Sequence, residues 1–399
     1  MIRKALIRKH HLAYTVTAWG AKYPESLLQR HTKTPMLHLE LDYAEFLEDA
    51  LLEAYELRDS FARNEARGPD EGLEEEAVGG REWWILKPSM SDRGQGIRLF
   101  SSEDELRAIF EEWEADSGSE LDFDSISCPP AAAMVLKGNE KEEEPKKIYD
   151  ENAAETNCTA GVITSQLRHF VVQPYIDPPL LFPAFGNRKF HLRSYVLAVG
   201  ALQVYLYGEM LALFAPLPYA PPSASPSSFD PRVHLTNTCL HTSTSEANPI
   251  TTTSSGVAHT ITTPLTLFSS LPATTPSNST KDWKSAAADA IALATSELFL
   301  AAARTQGTHF QPLPNAFEVF GIDWMVDATG HVWLLEVNAF PDFAQSGDGV
   351  GKDLVQGLWK AVLGVIGKAW FGAGKSEEEP WKEGNWGMKK VLDVDLGRR

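Results

Sequence analysis

Near the C-terminal end of the chain, the segment FEVFGIDWMVDATGHVWLLEVNAF (317–340) carries two carboxylates and an amide at close spacing. Two apolar runs, 317–326 and 332–337, flank an Asp-Ala-Thr-Gly turn at 327–330, which predicts a β-hairpin with Gly330 free to take positive φ. Side chains two apart on a strand share a face, so Glu336 and Asn338 point the same way. Asp323 on the first strand can reach that face. Magnesium takes hard oxygen ligands and keeps waters beside substrate phosphates, a demand that two carboxylates and an amide oxygen meet. The same pattern also describes a surface hairpin with ordinary outward polar residues.

Other chemistry-bearing residues lie upstream. Lys189, His191 and Arg193 alternate with Phe190, Leu192 and Ser194, which puts three basic or polar groups on one face of a strand. Lys87 ends a buried strand, Trp83–Leu86, and an ammonium there would neutralise anionic oxygens. Arg93-Gly94-Gln95-Gly96 follows in a turn-rich stretch. Its two glycines would let backbone approach phosphate oxygens, though a bare GxG also fits an ordinary turn. Thr236-Asn237 reads equally as an Asx turn. No Ser–His–Asp or Cys–His arrangement stands out.

Elements must hold these residues in place. Strand patterns occur at 97–100, 170–173, 189–199 and 202–207, with helices expected at 41–61, from Ser102 to about Trp113, at 283–306 and at 353–371. Leu354, Leu358, Trp359, Val362 and Ile366 mark the buried side of the last helix. The 399 residues allow two or three lobes, with ordinary hydrophobic (43%) and charged (23%) content. Three scattered cysteines argue for a reducing compartment, cytosol or nucleus. Of the net charge of −18, residues 65–160 carry −15, with 25 acidic against 10 basic residues. That concentration reads as solvated acidic loops and gives no support to a broad nucleic-acid-binding face. No run of about 18 apolar residues suggests a membrane span.

Six motifs in order, RKALIRKHH (3–11), WILKPSMSDRGQGI (84–97), VVQPYI (171–176), RKFHLRSYVL (188–197), HLTN (234–237) and the hairpin with LLEVN (334–338), resemble the tubulin–tyrosine ligase family. The resemblance spans nearly the whole chain, and fungal relatives associated with mRNA-decay bodies (P-bodies) are its nearest subgroup. It implies an α+β ATP-grasp fold, two lobes gripping ATP. The parts are a helical N-terminal segment (1–62), a central lobe (83–200) with an acidic insertion (115–165), and a C-terminal lobe (201–371). Two disordered Pro/Ser/Thr-rich insertions are expected, at 216–232 and 242–281, and most of the family's N-terminal lobe is expected to be missing.

The implied cofactors are ATP and Mg²⁺. Asp323, Glu336 and Asn338 would hold the metal, and Lys87 and Arg193 would be catalytic. Lys87, the loop Arg93, Gly94, Gln95 and Gly96, the hinge Gln173, Pro174, Tyr175 and Ile176, and Lys189, His191, Thr236 and Asn237 would bind the nucleotide, with Lys4 a further candidate. The implied reaction activates a carboxylate as an acyl phosphate, which an amine then displaces. The expected partners are an amino acid and a protein acceptor such as the tubulin C-terminal tail. Mg-dependent protein modification in the cytoplasm follows, with mRNA-decay factors as further partners and neither direct nucleic acid nor membrane among them.

Two positions depart from the family. His191 stands where the family has aspartate, and Leu211–Phe214 offers no basic residue where an arginine often grips the acceptor carboxylate. These departures favour a second expectation, an ATP-binding scaffold of cytoplasmic RNP granules without turnover.

Overall fold

The computed structural model describes residues 1–67, 80–91, 94–118, 168–222, 229–237, 240–241, 264–276, 282–341, 343, 350–371 and 387–397. Two antiparallel sheets organise them. The smaller has the order β1-β4-β2-β3, built from β1 (Leu37–Glu40), β2 (Trp84–Pro88), β3 (Arg98–Phe100) and β4 (His169–Pro174). The larger has seven strands: β5 (Arg188–Val199), β6 (Gln203–Tyr207), β7 (Leu211–Pro218), β8 (Leu265–Leu267), β9 (Phe317–Val326), β10 (Val332–Ala339) and β11 (Met388–Asp393). Its path runs β10-β9-β5-β6-β11, with β7 pairing β5 and β8.

Helices cover the sheets: α1 (Lys4–Ile7), α2 (Lys9–Lys22), α3 (Leu27–Arg30), α4 (Leu47–Leu51), α5 (Tyr55–Arg67), α6 (Glu103–Gly118), α7 (Pro231–His234), α8 (Trp283–Thr305) and α9 (Val350–Phe371). The small sheet buries Trp84, Leu86 and Phe170 against leucines and aromatics of α4, α5 and α6. At the start of α6 the Ser102 hydroxyl accepts from Glu105 N–H, while the Glu105 carboxylate accepts from Ser101 N–H, the two-way satisfaction that caps a helix start.

Strand β5 is the centre of the large sheet, and its alternation sets up the site. Leu192, Val196 and Ala198 face the core shared with α2 and α8. Tyr195, Leu197 and Val199 face the other way, under Leu354, Leu358 and Val362 of α9. Lys189, His191 and Arg193 lie on this second face by the period of two, nearer the start of the strand. One strand face thus changes from core to chemistry along its length.

Four expectations change. The helix expected at 41–61 is a 3-10 turn (Ala44–Phe46) followed by α4 and α5, and the break lets Leu47, Leu51 and Leu57 all reach the small sheet. Within 242–281, Leu265–Leu267 forms a strand on β7, with Leu211 opposite Leu267 and Leu213 opposite Leu265. Within 216–232, β7 continues to Pro218 and α7 begins at Pro231. The remainder of both insertions, 223–228, 242–263 and 277–281, lies outside the described residues, as does the acidic insertion beyond Gly118. Trp359 is 36% exposed, unlike its neighbours on α9. Helix α8 is long and apolar enough to cross a membrane, but half of its most apolar stretch is buried in this fold.

Candidate active site

A cavity of about 390 Å³ opens between the two sheets, lined from β2, β4, β5, β7, β9, β10 and the 234–237 loop. One corner is the hairpin. Glu336 stands opposite Asp323 in register, with a bulge between Leu334 and Glu336. That bulge inverts the strand's phase. Before it the even residues Val332 and Leu334 face the core; after it the odd residue Val337 does, releasing Glu336 and Asn338 to the cavity.

The hairpin corner is dense with hydrogen bonds. Arg193 donates to Asp323 through Nε (2.5 Å) and Nη2 (2.8 Å), a bidentate pair. Gly321 makes room for it, since a Cβ there would sit 3.0 Å from Arg193 Cδ. Asn338 Nδ2 donates to Asp323 Oδ2 at 3.1 Å and to Glu336 Oε1 at 3.2 Å. The amide NH₂ therefore stands between two carboxylates, the place a cation would take. Turning the amide over presents its oxygen instead, so the three side chains fit a hard divalent ion completed by phosphate oxygens and water. Among the described residues no group of three or more His, Cys, Asp or Glu side chains forms a metal cluster; the donor set here is two carboxylates and an amide.

Lys9 Nζ lies 3.6 Å from Glu336 Oε2. Burial would raise the Glu336 carboxyl, but Lys9 and Lys87, with the Asn338 bond, hold it down to about 2. Burial lowers the Arg193 guanidinium, and Asp323 more than reverses that, leaving it raised.

The hinge end looks different. Lys87 Nζ donates to Gln173 Oε1 at 2.8 Å, and Lys189 Nζ to the Tyr175 hydroxyl at 2.7 Å. Both lysines are buried and their hydrogen-bond partners are neutral. Burial lowers Lys87 to about 8, opposed by Glu336, and Lys189 to about 7, opposed by Asp177. Ile85, Ile97, Ile176 and Met325 supply apolar lining for a flat ring. The Tyr175 N–H is already donated to Trp83 O, so a base bound at the hinge must use other backbone groups.

His191 is buried, its Nδ1 bonded to the Thr236 hydroxyl and its Nε2 3.5 Å from Asp323 Oδ1. Burial lowers the imidazole, with Asp323 opposing and Arg193 adding to the effect. Gly94 has φ +78 and packs on Asn237, whose Oδ1 would lie 2.9 Å from an added Cβ, so the two loops meet at the rim.

The cavity therefore brings together Lys87, Gly94, Gln173, Pro174, Tyr175, Ile176, Lys189, His191, Arg193, Thr236, Asn237, Asp323, Glu336 and Asn338 of the predicted set. Gln95 and Gly96 are outside its lining, with Gln95 exposed and its carbonyl accepting from Ser91 Oγ. Arg93 lies outside the described residues. Lys4 is exposed; the basic residue of its motif that reaches the cavity is Lys9, which the extended backbone at Arg8 (φ −95, ψ 120) turns inward. Leu211 and Leu213, from the stretch noted for lacking a basic residue, line the cavity with apolar side chains, and sequence reasoning missed Phe340 at its mouth, 72% exposed. Lys9 sat inside a motif already singled out; Phe340 carried no signal distinguishing it from an ordinary strand end.

A family model described as the tubulin-tyrosine ligase family matches residues 17–369. The chain belongs to this family. It is 40% identical over 363 residues to a Schizosaccharomyces pombe protein named a probable tubulin–tyrosine ligase, covering 91% of this chain and 75% of that one. It is 38% identical over 401 residues to the Saccharomyces cerevisiae probable tubulin–tyrosine ligase PBY1, covering 98% of this chain but only 45% of PBY1. Among solved structures, the C-terminal domain of K. lactis Pby1 superposes with a TM-score of 0.59 at 31% identity, covering 99% of this chain and 81% of that one. That domain is described as an ATP-grasp enzyme interacting with the mRNA decapping enzyme Dcp2. The two-sheet architecture with a cavity between is accordingly the ATP-grasp fold.

Proposed function

We propose that the chain is a Mg²⁺- and ATP-dependent carboxylate–amine ligase that adds an amino acid to a protein or peptide carboxylate. One observation carries the reading: a corner of two carboxylates and an amide faces two buried lysines whose hydrogen-bond partners are neutral, across one cavity. Among the described lining residues, Lys9, Lys87, Lys189 and Arg193 outnumber Asp323 and Glu336, a surplus that suits a polyphosphate.

In this reading Asp323, Glu336 and Asn338 hold the metal, which when bound supplies charge stabilisation at phosphate oxygens. Lys87 and Lys189 neutralise the phosphates, and the apolar hinge side takes the base. The substrate carboxylate attacks the γ-phosphorus and ADP leaves; the amine nitrogen then attacks the acyl carbon and phosphate leaves. Arg193 is fixed by Asp323 through Nε and Nη2, and its Nη1 group, outside that pair, would stabilise charge developing beside the hairpin. The work is positioning and electrostatics, with no protein nucleophile.

The test is mass spectrometry of a tubulin-tail peptide incubated with the chain, Mg·ATP and an amino-acid mixture. The expected product is the peptide plus one residue, with ADP formed in equal amount, and both vanish in Glu336→Gln. Absence of ADP formation with every acceptor and amino acid tried contradicts ligase activity.

A second reading has its own support. Leu211 and Leu213 place an apolar wall, with no guanidinium, beside Arg193 and His191, and the K. lactis relative interacts with Dcp2. Both favour a nucleotide-binding partner of the decapping machinery in cytoplasmic mRNA-decay bodies. Retention of Dcp2 binding in Glu336→Gln, with no amino-acid transfer by the parent chain, would select it.

A further inference from the structure

The first turn of α2 joins the two sheets beside the cavity. Leu12, Ala13, Val16 and Trp19 seat this helix in the core of the large sheet, yet its first two residues hold the turn that follows β2 of the small sheet. Lys9 Nζ donates to Ser91 O at 3.1 Å and lies 3.6 Å from Glu336 Oε2. The His10 N–H donates to Ser89 Oγ at 3.0 Å, and the ring Nδ1 meets the same hydroxyl at 2.5 Å. Lys9 and Ser91 both line the cavity. A shift of His10 therefore shifts the ammonium that balances the metal corner.

His10 is also the centre of a chain of imidazoles. Its ring centroid lies 4.6 Å from that of His169 on β4, 5.4 Å from His38 on β1 and 4.3 Å from His11, and His11 continues to His309 at 4.2 Å. His38 Nε2 meets His169 Nδ1 at 3.0 Å. Rings this close stack while neutral and repel once charged. Arg8 facing His10 and Lys4 facing His11 add to the repulsion, and Glu40 opposes it at His38. Burial, then the surrounding rings and Arg8, push His10 down to about 3; burial, with His309 and Lys4, pushes His11 down to about 4. The bond to Ser89 asks for the same neutral state. A ring protonated on Nε2 alone lets the buried hydroxyl donate to Nδ1 while accepting from the His10 N–H, and a second ring proton removes that acceptor.

We propose that His10 is a positioning residue for the nucleotide site: its neutral ring, stacked on His38 and His169, straps the 89–91 turn to α2 and sets Lys9 between Ser91 and Glu336, and acid releases the strap. The effect on nucleotide rests on the nucleotide reading of the cavity; the strap itself does not. Opening the stack frees His10 and His11 to take protons near the ordinary value of 6.5. Moving from pH 7.5 to 6.0 should then raise the opening constant about fourfold for each of these rings, about fifteenfold together.

Hydrogen exchange of the full chain, followed by mass spectrometry, reads the strap directly, since the His10 N–H has the Ser89 hydroxyl as its partner. After correction for intrinsic exchange rates, protection of residues 8–12 is expected to fall about fifteenfold from pH 7.5 to 6.0, with α8 unchanged within about twofold. In His10→Gln with His11→Gln, whose amides stay polar but do not titrate, most of that fall should vanish. Calorimetry with Mg·ATP at pH 7.5 reads the positioning. His10→Ala is expected to bind about fivefold more weakly, the weight of one hydrogen bond, and His10→Gln to stay within about twofold of the parent. If His10→Ala fails to fold, Ser89→Ala takes its place with the same expected loss. Protection that ignores pH, a fall shared equally by α8, or the same fall in the double variant overturns the strap. Unchanged affinity in His10→Ala, or equal losses in His10→Ala and His10→Gln, overturns the positioning role. A parent chain that binds no ATP overturns the nucleotide reading instead, and the exchange result still decides the strap.

Discussion

The two ends of the cavity solve opposite electrostatic problems. At the hairpin end every charge has a partner of opposite sign: Asp323 takes Arg193 in a bidentate pair, and Glu336 has Lys9 at 3.6 Å. At the hinge end Lys87 and Lys189 are bonded to Gln173 and Tyr175, neutral groups that satisfy a hydrogen bond without cancelling charge. The hairpin end is held in shape by the folded chain itself. The hinge end is held in an unfavourable state that an anion would relieve. A buried ion pair and a buried cation bonded to a neutral group look alike in a sequence, yet the first resists disruption while the second costs stability that an anion would restore.

Breaking the hairpin end should have the largest effect. Asp323→Ala removes the partner of a buried guanidinium and is expected to cost about 3–5 kcal/mol in urea unfolding. Lys87→Met should act in the other direction. Removing a buried cation whose pKa is lowered to about 8 should stabilise the ligand-free chain by about 2 kcal/mol while weakening ATP binding. A variant that loses both stability and affinity would show that Lys87 is already compensated. Asn338→Asp puts a third carboxylate beside Asp323 and Glu336; it should lower stability by about 1 kcal/mol without metal and recover it in millimolar Mg²⁺. Full recovery by sodium chloride instead would point to simple screening.

Proton linkage sharpens the contrast with the smallest effect. The lysine positions lie low, Lys87 at about 8 and Lys189 at about 7, and a bound polyphosphate raises both. Nucleotide binding at pH 8 should therefore take up protons, seen as heats that vary with buffer ionisation enthalpy, and should lose that dependence at pH 6, where both lysines are already charged. Glu336, held near 2, contributes nothing in this range. Its effect appears in stability instead. A carboxyl depressed from 4.5 stabilises the fold above pH 4.5, and that contribution is lost as pH falls toward 2.

How much of this could be read from residues alone varied with what carried the information. The hairpin was readable because its turn, its apolar runs and its three oxygen-bearing residues are local, and β5 because period-two alternation separates Lys189, His191 and Arg193 from their apolar neighbours. The bulge before Glu336 was not, since alternation cannot show where a strand inserts an extra residue. Lys9 was missed in favour of Lys4 because a single extended residue, Arg8, decides which way the motif turns. Leu265–Leu267 was hidden by its Pro/Thr surroundings; its strand exists because β7 offers an edge to pair with. The bidentate lock between Arg193 and Asp323 joins residues 130 apart and needs Gly321 on the neighbouring strand, a relation no local pattern encodes.

The proposed function requires the hairpin and the two lysines together to bind one metal–nucleotide complex. Calorimetric titration of ATP, with magnesium and again with EDTA, on the parent chain and on Glu336→Gln measures it directly. The expected result is binding by the parent that weakens at least about tenfold in EDTA, and little magnesium dependence in Glu336→Gln. No binding by the parent, or binding that ignores both EDTA and the substitution, would contradict it.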